Sequence, residues 1–198
     1  MRPGRLGTGE ALNDGDPTTP RPAAAVILLR DGERGLEVLL VQRNPAARFA
    51  PGAWVFPGGA VRDGDADQRA TARRELREEA GVELDDGARL VPFSRWITPR
   101  TVRIRFDNVF FAAAAPVDCE PRCDGAECVD VRWLRPSDAL DAYERGDVEL
   151  VFPTIKHLER FAQWSSVTDL LADHHDLAPV EPRVVVDDRG THVLMPDQ

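Results

Sequence analysis

The sequence predicts an α/β fold in which helices flank a mixed β-sheet. Short apolar runs recur between Ala23 and Leu134, and one strongly marked helix interrupts them between Asp65 and Gly81. Helical spacing takes over after Pro136. Strands, one helix, more strands and then helices suit a sheet with helices packed against it. With 198 residues, one domain plus tails is expected, which is enough chain for a sizeable core.

Each element has its own signal. Residues 1–21 are rich in Gly, Pro, Thr and Asp and read as a flexible N-terminal tail. Residues 22–175 form the expected domain, and residues 176–198 a C-terminal extension. Ala23–Arg30 (AAAVILLR) reads as a buried strand that turns at Asp31-Gly32, and Leu36–Gln42 as a second strand. After a loop from Arg43 to Ala53, Trp54–Phe56 is a short strand. Asp65 or Asp67 can cap the helix that follows, and Gly81 can stop it. Ala72, Leu76 and Ala80 recur every four residues, so one helical face can pack on the sheet. Arg89–Ile97, Ile104–Ala114 and Val129–Leu134 are further strands. Pro136–Arg145 and a long stretch from Pro153 to Ala172 are helices, the latter on the spacing of Ile155, Leu158, Phe161 and Ala162. Arg183–Val186 and His192–Met195, joined around Asp188-Arg189-Gly190, read as a terminal hairpin.

The chemistry concentrates between Phe56 and Leu84. Glu75, Glu78 and Glu79 stand at i, i+3 and i+4, so their carboxylates share one side of the helix. Solvated, such neighbours repel by a few tenths of a kcal/mol. At ~4–5 Å in a medium of effective dielectric ~20 the cost is about 3–4 kcal/mol per pair. A hard cation such as Mg²⁺ removes that cost, because it takes oxygen ligands and shares them with phosphates. The glycines of Pro57-Gly58-Gly59 let backbone approach the same point. The plain alternative is a solvated helix, for Arg74 and Glu78 make an i,i+4 pair and 30% of the chain is charged.

Residues 56–84 resemble the Nudix box of the Nudix hydrolases. That pattern reads Gly, five residues, Glu, seven residues, Arg-Glu, aliphatic, any, Glu-Glu, any, Gly, aliphatic. Arg74 to Val82 fit its second half. The first half departs: Gly59 lies fifteen positions before Arg74 where the pattern has fourteen, and Asp65 and Asp67 flank the slot of the first acid. The resemblance implies a Nudix-type α/β/α sandwich with a mixed β-sheet. It also implies a Mg²⁺- or Mn²⁺-dependent hydrolase of diphosphate bonds in nucleotide derivatives. Gly59, Glu75, Glu78 and Glu79 are then the metal ligands, and Arg74 orients a Glu. Glu127, in the loop before the Val129–Leu134 strand, is a candidate base beside Glu79. Arg48, Gly52 and Phe56 to Gly59 are similar to the segment before the box in Nudix coenzyme A diphosphatases. Val38 to Asn44 match that branch in part, without its Thr. On that likeness coenzyme A or acyl-CoA is the first substrate expected. ADP-ribose or a nucleotide sugar is the alternative within the same chemistry, and a non-catalytic nucleotide-binding module the alternative outside it.

Arg43 and Arg48 suit bidentate phosphate contacts. Trp54 is the tryptophan placed to stack on a base, whereas Trp96, Trp133 and Trp164 read as packing residues. Five Arg and no acid lie between Arg89 and Phe106, and Arg105 is the candidate there for an anionic substrate. The chain as a whole carries a formal charge of −9, which argues against nucleic-acid or membrane-surface partners. No apolar run approaches ~18 residues, and the N-terminus has no apolar signal core. A cytoplasmic protein acting on a small nucleotide-type molecule is expected. Cys119, Cys123 and Cys128 are an odd number in one loop, which argues against a disulfide framework. The terminal hairpin and the tail offer surfaces for a homodimer.

Overall fold

A computed structural model describes residues 12–13, 15–188 and 190–197. Residues 1–11 and 14 of the expected tail, Arg189 of the expected hairpin turn and Gln198 lie outside them. The elements run β1 (Arg21–Gly32), β2 (Gly35–Arg43), β3 (Trp54–Val55), β4 (Gly58–Ala60), α1 (Gln68–Ala80), β5 (Val91–Ile97), β6 (Phe106–Ala114) and β7 (Cys128–Leu134). Then come α2 (Pro136–Arg145), α3 (Phe152–Phe161), α4 (Val167–Ala172), β8 (Pro179–Val180), β9 (Arg183–Asp187) and β10 (Gly190–Leu194).

The strands β1 to β8 form one mixed sheet, ordered β3-β2-β1-β6-β5-β8, with β4 on β1 and β7 on β2. At its centre β1 runs antiparallel to β2 and β4 and parallel to β6. Alternation along β1 divides the core. Ala25, Ile27 and Leu29 face α2, α3 and α4, with Tyr143, Ile155, Leu158 and Phe161. Ala24, Val26 and Leu28 face α1, through Ala72, Leu76 and Ala80. Both faces of β1 are thus covered, which is why it reads as one unbroken apolar run. Two helical layers around a mixed sheet are the α/β/α sandwich the sequence implied. Inside the first layer His157 is packed among Phe56, Phe93 and Phe110, its Nε2 2.6 Å from Ser94 Oγ. Burial pushes its pKa down to about 3, so it sits there neutral.

Several expectations need correction. The long helix from Pro153 to Ala172 is two helices. After Phe161 the chain turns through Gln163 and Trp164, and α4 starts afresh at Ser166. The Ser166 hydroxyl accepts from Asp169 N–H, while Asp31 of the β1 turn accepts from Val167 N–H at 2.9 Å. Both bonds reward a helix start that helical spacing alone cannot show. Ser166→Ala is expected to cost about 1 kcal/mol of stability in thermal unfolding. Strand β6 begins at Phe106, because Val102 N–H closes a turn on Pro99 and leaves Ile104 exposed. Neither β4 nor β8 is visible to a period-2 pattern at three and two residues. The described end of the tail is tied down: Asn13 N–H donates to Thr101, and Thr18 donates to Arg103. Among the described residues no helix is long and apolar enough to cross a membrane.

Candidate active site

Helix α1 holds the carboxylates against the glycine strand β4. Its N-cap is Asp67, whose side chain accepts from Ala70 N–H. Its C-cap is Gly81, at φ 65°, a left-handed conformation that favours glycine. With Ala72, Leu76 and Ala80 locked into the sheet, the helix cannot rotate. Glu75 and Glu79, each 2% exposed, are thereby turned toward β4, and Glu78 stays at the rim.

Contacts at β4 are close. Gly58 N–H donates to Glu79 Oε2 at 2.9 Å. A Cβ on Gly59 would lie 2.7 Å from the Glu75 carboxyl carbon. A Cβ on Gly58 would meet the Ala24 carbonyl and the Ala25 Cα, both at 2.7 Å. The two glycines therefore have different duties. Gly59→Ala displaces only the far end of a side chain, so turnover is expected to fall about ten- to a hundredfold with little change in melting temperature. Gly58→Ala must move backbone and is expected to cost about 1–3 kcal/mol of stability, as overpacking does. Activity assays and thermal melts of the two variants, read together, check this.

Arginines fill the space between the carboxylates. Arg74 Nη1 lies 2.7 Å from Glu75 and 3.1 Å from Glu78, and its other side makes a two-point contact with Asp65. Arg62 reaches Glu78 at 3.0 Å and Glu75 at 3.8 Å. Arg43 lies 3.9 Å from Glu79 and donates to the Phe49 carbonyl. The hydrogen bond from Arg74 holds Asp65 well below the usual carboxylate range. Burial pushes Glu79 up to about 7, against the Gly58 N–H and with help from the charges of Glu75 and Glu127. Burial raises Glu75 likewise, against Arg74.

Glu75 and Glu79 form one wall of a cleft of about 370 Å³ that also takes in Gly58, Gly59, Arg21, Arg43, Arg62 and Glu127. The rest of its lining is largely apolar, including Phe49, Phe56, Phe106, Phe110 and Phe152. A more open hollow of about 460 Å³, between Leu29–Asp31 and Ala114–Cys119, holds none of these carboxylates.

Of the residues singled out in the sequence, the structure sets Arg74 between Glu75 and Glu78 and Gly59 against Glu75, and places Gly59, Glu75, Glu79, Arg43 and Glu127 on one cleft. Three others fall away. Trp54 is 3% exposed in the core, one face under the Arg132 guanidinium at 4.7 Å, so no face is free for a base. Arg105 is 6% exposed and spent on the Thr98 and Thr18 carbonyls and on Glu181. Arg48 is exposed and is not part of the cleft lining. The basic stretch around Arg105 is largely neutralised, for Arg95 pairs with Asp107 and Arg100 with Glu181. Sequence reasoning missed Arg62 and Arg21. It also left Asp65 undecided, although an acid one residue off the expected slot was its signal.

The family model described as NUDIX domain matches residues 19–155. The chain belongs to the Nudix family. It is 28% identical over 183 residues to a Caenorhabditis elegans protein named putative nudix hydrolase 7, covering 72% of this chain and 61% of that one. To the CTP pyrophosphohydrolase of Escherichia coli (strain K12) it is 39% identical over 116 residues, covering 59% and 76%. To the peroxisomal coenzyme A diphosphatase ndx-8 of C. elegans it is 46% identical over 66 residues, covering 32% and 28%. The match to the first of these relatives thus spans less than two thirds of that protein's length. Among solved structures, a NUDIX hydrolase from Alicyclobacillus acidocaldarius superposes with a TM-score of 0.72 at 27% identity. That match covers 80% of this chain and 98% of that one.

Nudix hydrolases generally need divalent cations. Among the described residues no three His, Cys, Asp or Glu side chains stand ready-gathered as a cation site. The donor set nevertheless fits one. Glu75 and Glu78 both lie within hydrogen-bond reach of a single Arg74 nitrogen, all the side-chain donors are hard carboxylate oxygens, and the absent Cβ of Gly59 leaves room beside Glu75. Arg62, half exposed, and Arg74 both pair with Glu75 and Glu78 at that place.

Proposed function

We propose that this Nudix protein hydrolyses the diphosphate bond of a nucleoside diphosphate derivative. One observation carries the reading: Glu75, Glu79 and the glycine strand share a cleft whose remaining lining is largely apolar and includes Arg21, Arg43 and Arg62. Glu75, Glu78, Glu79 and Gly59 would hold Mg²⁺ or Mn²⁺, which when bound neutralises phosphate charge and activates water. Arg74 is a positioning residue: Asp65 grips one side of its guanidinium, and the other side fixes Glu75 and Glu78. Arg43 and Arg21 line the same cleft and would meet the phosphate chain. Glu79 is tied to Gly58 N–H, which suits a ligand. Glu127, exposed on the same cleft, suits the proton acceptor for the attacking water.

Coenzyme A or acyl-CoA is the first substrate proposed, supported by the partial motif from Val38 to Gly59 and by the likeness to ndx-8. The test is a panel of coenzyme A, ADP-ribose, a nucleotide sugar, CTP and a dinucleoside polyphosphate with Mg²⁺ or Mn²⁺. Products are identified by mass. Release of 3′,5′-ADP and a phosphopantetheine is expected, and cleavage of another panel member in preference would reassign the substrate. No cleavage of any would reject the hydrolase. One observation favours a second reading, a nucleotide-binding module without turnover: Arg62 and Arg74 already neutralise Glu75 and Glu78. Calorimetry separates the two, since the module would bind nucleotide without taking up Mg²⁺ or Mn²⁺.

A further inference from the structure

Glu127 is exposed, yet both polar groups of its main chain are taken. Its N–H donates to Asp124 Oδ2 at 3.0 Å, and its carbonyl accepts from Asn44 N–H at 2.9 Å. These two residues divide the loop between them. Asp124 accepts from three successive N–H groups, those of Ala126 at 3.1 Å, of Glu127, and of Cys128 at 2.9 Å. Asn44 takes two successive carbonyls, that of Ala126 through Nδ2 at 2.8 Å and that of Glu127 through its own N–H. Asn44 Oδ1 accepts in turn from Ala46 N–H, which fixes the side chain. Gly125, at φ 75°, lets the chain fold back so that its N–H donates to the Cys128 carbonyl.

A loop at the surface can leave such groups to water. This one is held instead by a charged acceptor, which makes stronger hydrogen bonds than a neutral one. Desolvation works against the Asp124 charge, but the N–H groups of Cys128, Glu127 and Ala126 prevail and hold its carboxyl below the ordinary value. Asn44 reaches the loop from the other flank. It follows Arg43, which lines the cleft and lies 3.9 Å from Glu79. There β7 meets β2 with a bulge: Gln42 pairs with Asp130 but Arg43 with Cys128, which leaves Val129 out of register. Bulges re-aim the chain beyond them. One junction thus places both Arg43 and the loop that carries Glu127.

We propose that Asp124 and Asn44 are positioning residues for Glu127, clamping its main chain at the N–H and at the carbonyl so that its carboxylate keeps one place on the cleft. Neither residue lines the cleft itself. This assignment rests on the hydrolase reading with Glu127 as proton acceptor. The clamp matters to rate because a positioned base contributes about 10²–10⁴-fold, and a displacement of about 1 Å can cost a hundredfold.

The test is steady-state kinetics of the full chain with Mg²⁺, on the panel compound that wild type cleaves fastest, coenzyme A by expectation. Glu127→Gln is expected to lower kcat about a hundredfold or more. Asp124→Ala should lower it about ten- to a hundredfold and Asn44→Ala about three- to tenfold. KM should stay within about twofold in each, as when only the transition state loses an interaction. Asp124→Asn keeps one oxygen for the Ala126 and Cys128 N–H groups and should recover part of the loss. The double variant decides. Asp124→Ala added to Glu127→Gln should leave kcat within about twofold of Glu127→Gln alone, because a clamp with no base to hold no longer affects rate. A merely structural role would add its full loss in both backgrounds and overturns the inference. Wild-type kcat in both Asp124→Ala and Asn44→Ala overturns it too, as does wild-type kcat in Glu127→Gln, and each of these results leaves the hydrolase standing. If Asp124→Ala fails to fold, the same cycle is run with Asn44→Ala. No cleavage of any panel compound by wild type rejects the hydrolase and this assignment together.

Discussion

Glu78→Gln and Glu79→Gln are each expected to lower turnover about a thousandfold while the fold survives, the scale of losing a directly engaged charge at a reacting centre. The reason for intact folding differs between the two. Glu78 stands at the rim, where Arg62 and Arg74 remain paired with Glu75 and Asp65 after the change. Glu79 is buried, but a glutamine oxygen can still accept from Gly58 N–H at the same place. What each variant loses is a carboxylate proposed to hold the cation. Mg²⁺ or Mn²⁺ titration by calorimetry should weaken in parallel with turnover, and circular dichroism should not change. Turnover near wild type in both would remove the box carboxylates from the chemistry. Loss confined to Glu127→Gln would move it to the loop before β7.

How much of this was legible follows from where each signal sits. Helix α1 was legible because cap, stop and apolar spacing all lie within fifteen residues, Asp67 to Gly81. The meeting of Glu75 with Gly59 was legible because a sheet-packed helix next to a glycine turn leaves few places for its second face. Trp54 misled because position beside the turn says nothing of what covers the ring. Its β2 partner Gln42 and the bridge to Leu150 come from other parts of the chain. Arg105 misled for the same reason, since Glu181, which holds it, is 76 residues away. Arg62 carried no motif at all, and only the fold of the loop between β4 and α1 lays it over Glu75 and Glu78. Distance in sequence, more than residue type, separated what could be read from what could not.

Without metal, the chain is expected to lose stability as pH rises through neutrality, and Glu79 is the cause. Its folded pKa of about 7 lies above the ordinary 4.5, so folding favours the protonated form. The contribution is fully present below about pH 4.5 and is lost as pH climbs past about 7. The gap amounts to at most about 3 kcal/mol at 1.36 kcal/mol per unit, a large part of the ~5–15 kcal/mol a domain has. His157 runs the other way. Held neutral with a folded pKa near 3, it contributes stability above its ordinary 6.5 that is lost as pH falls toward 3. Wild type alone would therefore show a mixture, and the difference from Glu79→Gln isolates the carboxylate. In chelator-treated protein, melting between pH 5.5 and 8.5 should fall more steeply for wild type than for Glu79→Gln, whose amide does not titrate. Adding Mg²⁺ at pH 8.5 should restore most of the difference in wild type and little in the variant, because a bound cation supplies the charge that burial denies. Parallel profiles for the two proteins would mean that Glu79 is ionised at little cost in the folded chain, and that the glycine strand does not hold it away from water.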